Sequence, residues 1–276
     1  MAEQSDLIIE NKGRVRYLIL DRPNKRNALN YEIKRDLQAA VVEAATDDSV
    51  GAIVIRGNGK SFCAGGDITP NPDAVSDYEI DIRVDIQRMQ RTSGNWGVLW
   101  KGKAVIAQIH GHCIGEGTEL ALNCDVIIAA DDVRIGYPPV RALGSPPTHM
   151  WTYHVGPQWA KLLLLTGDTI DGTTAERIGL VAKSVPADQL DSVVDAIAQR
   201  MALVPNDLQA ANKSICNKAL DLMGRQMLQQ LALETDAIAH KSLAVKEFYE
   251  RSNRDGLKSA LDWRDGIFAE TKIHGS

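Results

Sequence analysis

Residues 110–125, HGHCIGEGTELALNCD, constrain the chain more than any other stretch. They hold Gly111, Gly115 and Gly117, the pattern of a strand end turning into a helix, and a well-placed carboxylate, Glu119, in the first helical turn. Glycines let the backbone approach a ligand closely, and the amides that open a helix are donors without intrahelical partners that carry partial positive charge. Such a turn suits an anion or a developing oxyanion. A carboxylate one turn further in stands where a general acid or base is needed.

With 276 residues the chain can bury one large core, with room for an appendage. A hydrophobic content of 44% and a charged content of 24% are those of an ordinary globular protein. The net charge of -5 speaks against a polyanion-binding surface, so nucleic acid is not an expected partner. The first twenty residues lack a charged segment followed by an apolar one, and no apolar run approaches a membrane span. These features lead us to expect a cytoplasmic protein without a membrane partner. Cys63, Cys113, Cys124 and Cys216 show neither a CxxC pair nor a zinc spacing, so they read as reduced, small apolar groups. His110 and His112 lack a third ligand, and no metal is expected.

Alternation in residues 7–10 and 14–20 around Asn11-Lys12-Gly13 predicts an opening hairpin. Asn30 is placed to cap a helix whose stripe is Ile33, Leu37, Ala40, Val41 and Ala44. The apolar run 50–56 predicts a buried strand that ends in GNGKSFCAGGD, a second glycine-rich loop able to aim amides at a ligand. A mobile polar loop over residues 69–78 and a long helix reaching about residue 100 are expected next. Strands follow at 104–109, 125–130 and 133–136, with another short one at 181–185. Helices are predicted over 159–166, 173–178, 187–203, 206–222, 226–249 and 252–268. Repetition of strand, loop and helix brings both glycine loops to one side of the sheet, so a site shared by Ala64 and residues 115–119 is expected.

Five ordered segments together resemble the crotonase (enoyl-CoA hydratase/isomerase) superfamily: Asp21-Arg22-Pro23 with Asn27-Ala28-Leu29, GKSFCAGGDI at 59–68, GTELALNCD at 117–125, LLLTGDTIDGTTAERIGLV at 163–181 and DGLKSALDWRDGIF at 255–268. The resemblance implies an α/β fold of repeated ββα units with a helical C-terminal region. Residues 1–200 would form the core with the oxyanion site, and residues 201–276 a helical region that closes the CoA pocket and mediates assembly into homotrimers or dimers of trimers. It also implies acyl-CoA chemistry, in fatty-acid or related degradation, with no cofactor beyond the CoA of the substrate thioester. The thioester oxygen would lie on the backbone amides of Ala64 and Glu116, and Glu119 would serve as acid/base. Lys25 and Arg26 match the CoA contact region, with Phe268 on the adenine side.

Three departures stand out. Glu116 replaces the family's usual glycine. Pro139 falls where the hydratases carry a second glutamate, and the glycine-rich stretch that normally follows reads Ser145-Pro146-Pro147-Thr148-His149. Glu116, Asp67, Tyr137 and His149 are the candidate replacements for the missing acid, Glu116 because it sits three residues before Glu119 on the same turn. Hydration or isomerisation is the first reading. A carbon–carbon or thioester hydrolase of the same fold is the alternative, since an oxyanion hole and one base suffice for it, and a catalytically impaired oligomeric binding protein is the third.

Overall fold

The protein is represented by a computed structural model that describes residues 6–69, 76–92 and 96–269. Nine strands divide into two sheets. The larger contains β1 (Leu7–Lys12), β2 (Val15–Leu20), β3 (Ala52–Gly57), β4 (Ala104–Ile109), β6 (Val126–Ala130) and β9 (Lys183–Val185), and the smaller β5 (His112–Ile114), β7 (Arg134–Gly136) and β8 (Thr169–Ile170). The opening hairpin β1–β2 is antiparallel, and from β2 onward the large sheet is parallel in the order β2-β3-β4-β6-β9. Its central strands are apolar on both faces: β4 is buried at every position. That is what a parallel sheet covered on two sides requires.

The helices are α1 (Tyr31–Thr46), α2 (Ile82–Arg91), α3 (Glu116–Leu122), α4 (Trp151–Thr166), α5 (Gly172–Arg177), α6 (Leu190–Ala202), α7 (Asn206–Leu222), α8 (Arg225–Ala239), α9 (Leu243–Asp255) and α10 (Leu257–Gly266). Asn30 caps α1 by accepting from the Ile33 amide at 2.9 Å, and the expected stripe is its buried face. That face packs into the main core with Leu18, Leu20, Ile53 and Ile55 of the sheet, while α6 covers the opposite face with Leu190, Val194, Ala198 and Ala202.

Several expected boundaries differ. The long helix anticipated up to residue 100 is α2, ending at Arg91, followed by a separate 3-10 turn at Trp96–Trp100. Residues 70–75 of the expected polar loop lie outside the described residues. The helix anticipated at 159–166 starts earlier, at Trp151, and is broken where Gly156 adopts φ 70° just before Pro157. The single helix expected over 226–249 is two, α8 and α9, with Ser242 capping the second through the Val245 amide. Gly256, at φ 87°, separates α9 from α10 in the stretch anticipated as one helix over 252–268. No helix among the described residues is long and apolar enough to cross a membrane.

Candidate active site

Three segments distant in sequence are laced together by backbone hydrogen bonds. Phe62 and Cys63 donate to the carbonyls of His110 and His112, and Ile114 donates back to Cys63, which ties the first glycine loop to β5. Leu29 donates to Gly65, and Asp67 to Leu29, adding the segment before α1. Gly117 must be glycine here, because a Cβ would stand 2.7 Å from the Cys63 carbonyl oxygen. A side chain would push α3 away from the loop. The two glycine loops therefore lie side by side.

Glu119 is completely buried within α3. Its Oε2 accepts from the Thr148 amide at 2.9 Å, the Thr148 hydroxyl at 2.5 Å and the His149 amide at 3.2 Å. Its Oε1 has no hydrogen-bond partner among the described residues. Burial raises the carboxyl above the ordinary glutamate range, and the Thr148 and His149 donors, with the nearby Trp151 indole, offset part of that rise. Asn123 braces the arrangement from α3 itself, donating to the Glu119 carbonyl at 2.7 Å and to the Thr148 hydroxyl at 3.0 Å. Glu119 lines neither of two surface clefts of about 550 and 490 Å³, although Asn123 lines the second.

Glu116 does not face Glu119. Its carboxylate turns back across Gly66 to Lys34 of α1, whose ammonium lies 2.8 Å from Oε1 and 2.7 Å from Oε2. The charge introduced where the family has glycine is thus neutralised. As the first residue of α3 its amide has no intrahelical acceptor. The Ala64 amide, expected to be the other free donor, is in use: it donates to the Arg26 carbonyl at 2.9 Å. Arg26 and its neighbour Asn27 are both left-handed, at φ 48° and 56°, and buried Asn27 anchors the turn by donating to the carbonyls of Asn58 and Ser61.

The other candidates separate. Asp67 accepts from Thr69 and pairs with Arg22 at 2.9 Å; burial works against its ionisation, but these partners hold its carboxyl below the usual range. It is occupied away from Glu119. His149 contributes its amide, whereas its ring contacts the Thr152 hydroxyl at 3.0 Å and burial lowers its basicity. Tyr137 is buried and donates to the Ser145 carbonyl at 3.2 Å; burial, then the charges of Asp236, Glu119 and Glu116, keep its phenol protonated. Pro139 lies beside the site, its ring 3.2 Å from where a Cβ on Gly115 would be, and brings no ionisable group. Lys25 is exposed, 3.4 Å from the Thr69 hydroxyl. Phe268 lies under the Arg141 guanidinium at 4.0 Å. The buried Cys63 thiol is pushed up to about 12 by desolvation, which makes it a packing group. No group of His, Cys, Asp or Glu among the described residues could hold a metal.

Sequence reasoning missed Thr148, Lys34, Asn123 and Trp151. The replaced stretch at 145–149 signalled that something there had changed, and an acid at Glu116 signalled a need for a cation. Neither signal says which residue answers it.

A buried carboxyl with one unpaired oxygen lies beside two glycine loops, at the junction of a parallel sheet and a second small sheet, a setting suited to acid/base chemistry. The comparisons agree. The family profile of enoyl-CoA hydratase/isomerase matches residues 10–255, and the chain belongs to that family: it is an acyl-CoA enzyme of the hydratase/isomerase type. It is 34% identical over 220 residues to the probable enoyl-CoA hydratase echA8 of Mycobacterium tuberculosis, covering 78% of this chain and 82% of that one. With the 2,3-dehydroadipyl-CoA hydratase of Escherichia coli it shares 30% identity over 270 residues, 96% of this chain and 98% of the relative. The crystal structure of an enoyl-CoA hydratase from Mycobacterium smegmatis superposes with a TM-score of 0.88 at 32% identity, covering 95% of this chain and 94% of the other. The crotonase fold expected from the sequence is therefore the fold of this protein.

Proposed function

We propose that the enzyme adds water to, or isomerises, an α,β-unsaturated acyl-CoA, with Glu119 as the single acid/base and the thioester oxygen held by the amides of Glu116 and Ala64. The observation that carries this reading is the division of labour within one carboxyl: Oε2 is pinned by three donors, and Oε1 is left for the substrate. A carboxyl raised by burial changes protonation state more readily near neutral pH than an exposed one. The Ala64 amide serves by sharing its hydrogen between the Arg26 carbonyl and the thioester oxygen, as three-centre bonds do. Lys34 supports the reading by removing the negative charge that Glu116 would otherwise place beside a forming enolate.

Lys25 and Arg26 are the proposed contacts for CoA phosphates, and Phe268 a contact on the adenine side. The apolar residues Leu222, Met223, Met227 and Ile238, exposed on α7 and α8, suit a homotrimer or a dimer of trimers. A second reading, hydrolytic cleavage of a β-oxo thioester, is favoured by Pro139, since such cleavage needs no second carboxylic acid. Incubation with a panel of enoyl-, dienoyl- and β-ketoacyl-CoAs, read by mass spectrometry, separates the outcomes: mass gain of water for hydration, no change for isomerisation, a lost fragment for cleavage. Glu119→Gln lowers turnover of the best substrate by about 100-fold or more. Full activity in that variant would remove Glu119 from the mechanism.

A further inference from the structure

Two polar atoms at the centre of the site are without a hydrogen-bond partner among the described residues: Glu119 Oε1 and Trp151 Nε1. Both side chains belong to residues with 0% exposure. They belong to one place. Trp151 opens α4 two residues after His149, whose amide holds the other oxygen of the same carboxyl. Its indole N–H is near enough to help stabilise the Glu119 carboxylate, yet it does not complete a hydrogen bond to Oε1.

An acceptor and a donor left unpaired in a protein interior forfeit the hydrogen bonds that water gave them in the unfolded chain. Buried polar groups are otherwise satisfied almost without exception. Trp151 is also not a loose side chain, since it packs into the main core with Leu120, Leu122 and Met150. Its N–H therefore points where the fold holds it. With no acid at Pro139, the Trp151 indole brings an unpaired donor to the neighbourhood of the free Glu119 oxygen.

We propose that Trp151 Nε1–H and Glu119 Oε1 hold between them the oxygen borne by the substrate's β-carbon, which makes Trp151 a further catalytic residue that orients this oxygen where the family's second acid is absent. The proposal rests on Glu119 being the acid/base. An indole N–H donates a hydrogen bond and accepts none, so it fixes the oxygen while Glu119 moves the proton. In hydration, water donates its hydrogen bond to Glu119 and accepts one from Trp151. Its oxygen bonds to Cβ as one proton passes to Glu119, and the Cα=Cβ pair moves into the thioester enolate. The proton then returns from Glu119 to Cα, so that one water is added and the carboxyl is restored.

Trp151→Phe keeps an aromatic ring and deletes the donor. On trans-2-enoyl-CoAs of four to twelve carbons it is expected to lower kcat by about 100-fold, with KM nearly unchanged and the folded circular dichroism spectrum retained. A second measurement needs no variant activity. In protein labelled with 15N-tryptophan, the Trp151 indole signal is the one missing from Trp151→Phe. Saturating 3-hydroxybutyryl-CoA should move it downfield, whereas butyryl-CoA, which has no β-oxygen, should move it far less. An indole signal that responds equally to both ligands, or wild-type kcat in a folded Trp151→Phe, overturns the proposal. Unimpaired turnover in Glu119→Gln with the indole contrast intact would overturn the acid/base reading instead, so the two fail separately.

Discussion

At the residue scale the site depends on how one carboxyl is solvated by protein. Thr148 supplies two of the three donors to Glu119 Oε2, and its hydroxyl is the shorter contact at 2.5 Å. Hydrogen bonds to the ionised form lower a carboxyl's pKa, so losing one raises it. Thr148→Val should therefore shift the acidic limb of the kcat/KM profile to higher pH and reduce kcat at neutral pH by about tenfold. An unmoved limb would mean that the hydroxyl does not set the protonation of Glu119. Thr148 carries no family signature in this chain, and only its position across from α3 reveals the role. Glu116 is the converse case: its identity was a visible anomaly, and its consequence depended on a lysine 82 residues away.

At the scale of elements, α2 and the C-terminal helices are joined by a buried polar network. Asp85 pairs with His240 and Arg88, both at 2.6 Å, Arg88 reaches Asp77, and the Tyr249 hydroxyl donates to Asp77 at 2.6 Å. Asp236 accepts from the Ser145 amide at 2.6 Å, which links α8 to the loop beyond Pro139. Lys241 donates to the carbonyls of Asp77, Tyr78 and Ile80. Burial pushes Asp236 up to about 7, tempered by His240 and Ser145. For His240 burial works the other way but is outweighed by Asp85, Asp236 and Asp77, so its pKa is raised. Both groups bind their protons more tightly in the folded state. Their stabilisation is complete below the unfolded pKa values and is lost as pH rises through the folded ones. The Asp236 contribution should fall from about pH 4, where an unfolded aspartate titrates, to about pH 7, and that of His240 from about pH 6.5 upward, a range above the titration of depressed carboxylates such as Asp67 and Asp77. Thermal unfolding across that range should show a declining Tm. His240→Gln should cost about 3 kcal/mol at pH 6 and flatten the decline above neutrality; a Tm that rises with pH would contradict the assignment.

For the whole molecule, the unpartnered apolar surface is concentrated on the helical C-terminal region. Leu222 is 92% exposed and Met227 71% exposed, more than an isolated helical face tolerates without a partner. With assembly through this face, the wild-type chain runs as three or six chain masses by light scattering, and Leu222→Lys with Met227→Lys reduces it to one. A double variant that keeps the wild-type mass would exclude the face from the interface.

Legibility differed between levels for physical reasons. The hairpin, the buried strands, α1 and α7 were evident because period-2 alternation, a helical stripe and an Asn cap are local patterns. The joining of α8 and α9 into one expected helix failed because the break at residues 240–242 carries no glycine or proline, and what interrupts it is the His240 network with α2. The two glycine loops and Glu119 were legible because close backbone approach demands particular residues in sequence order. What the sequence determined by itself was the family and the fold, and it singled out Glu119 as the carboxylate proposed here as the acid/base. Only the tertiary structure decided which atom that carboxylate leaves free, that Lys34 neutralises Glu116, that the Ala64 amide donates to the Arg26 carbonyl, and that Trp151 stands nearby. Those are contacts between residues far apart in the chain, made by side-chain direction and burial, and no local pattern encodes them.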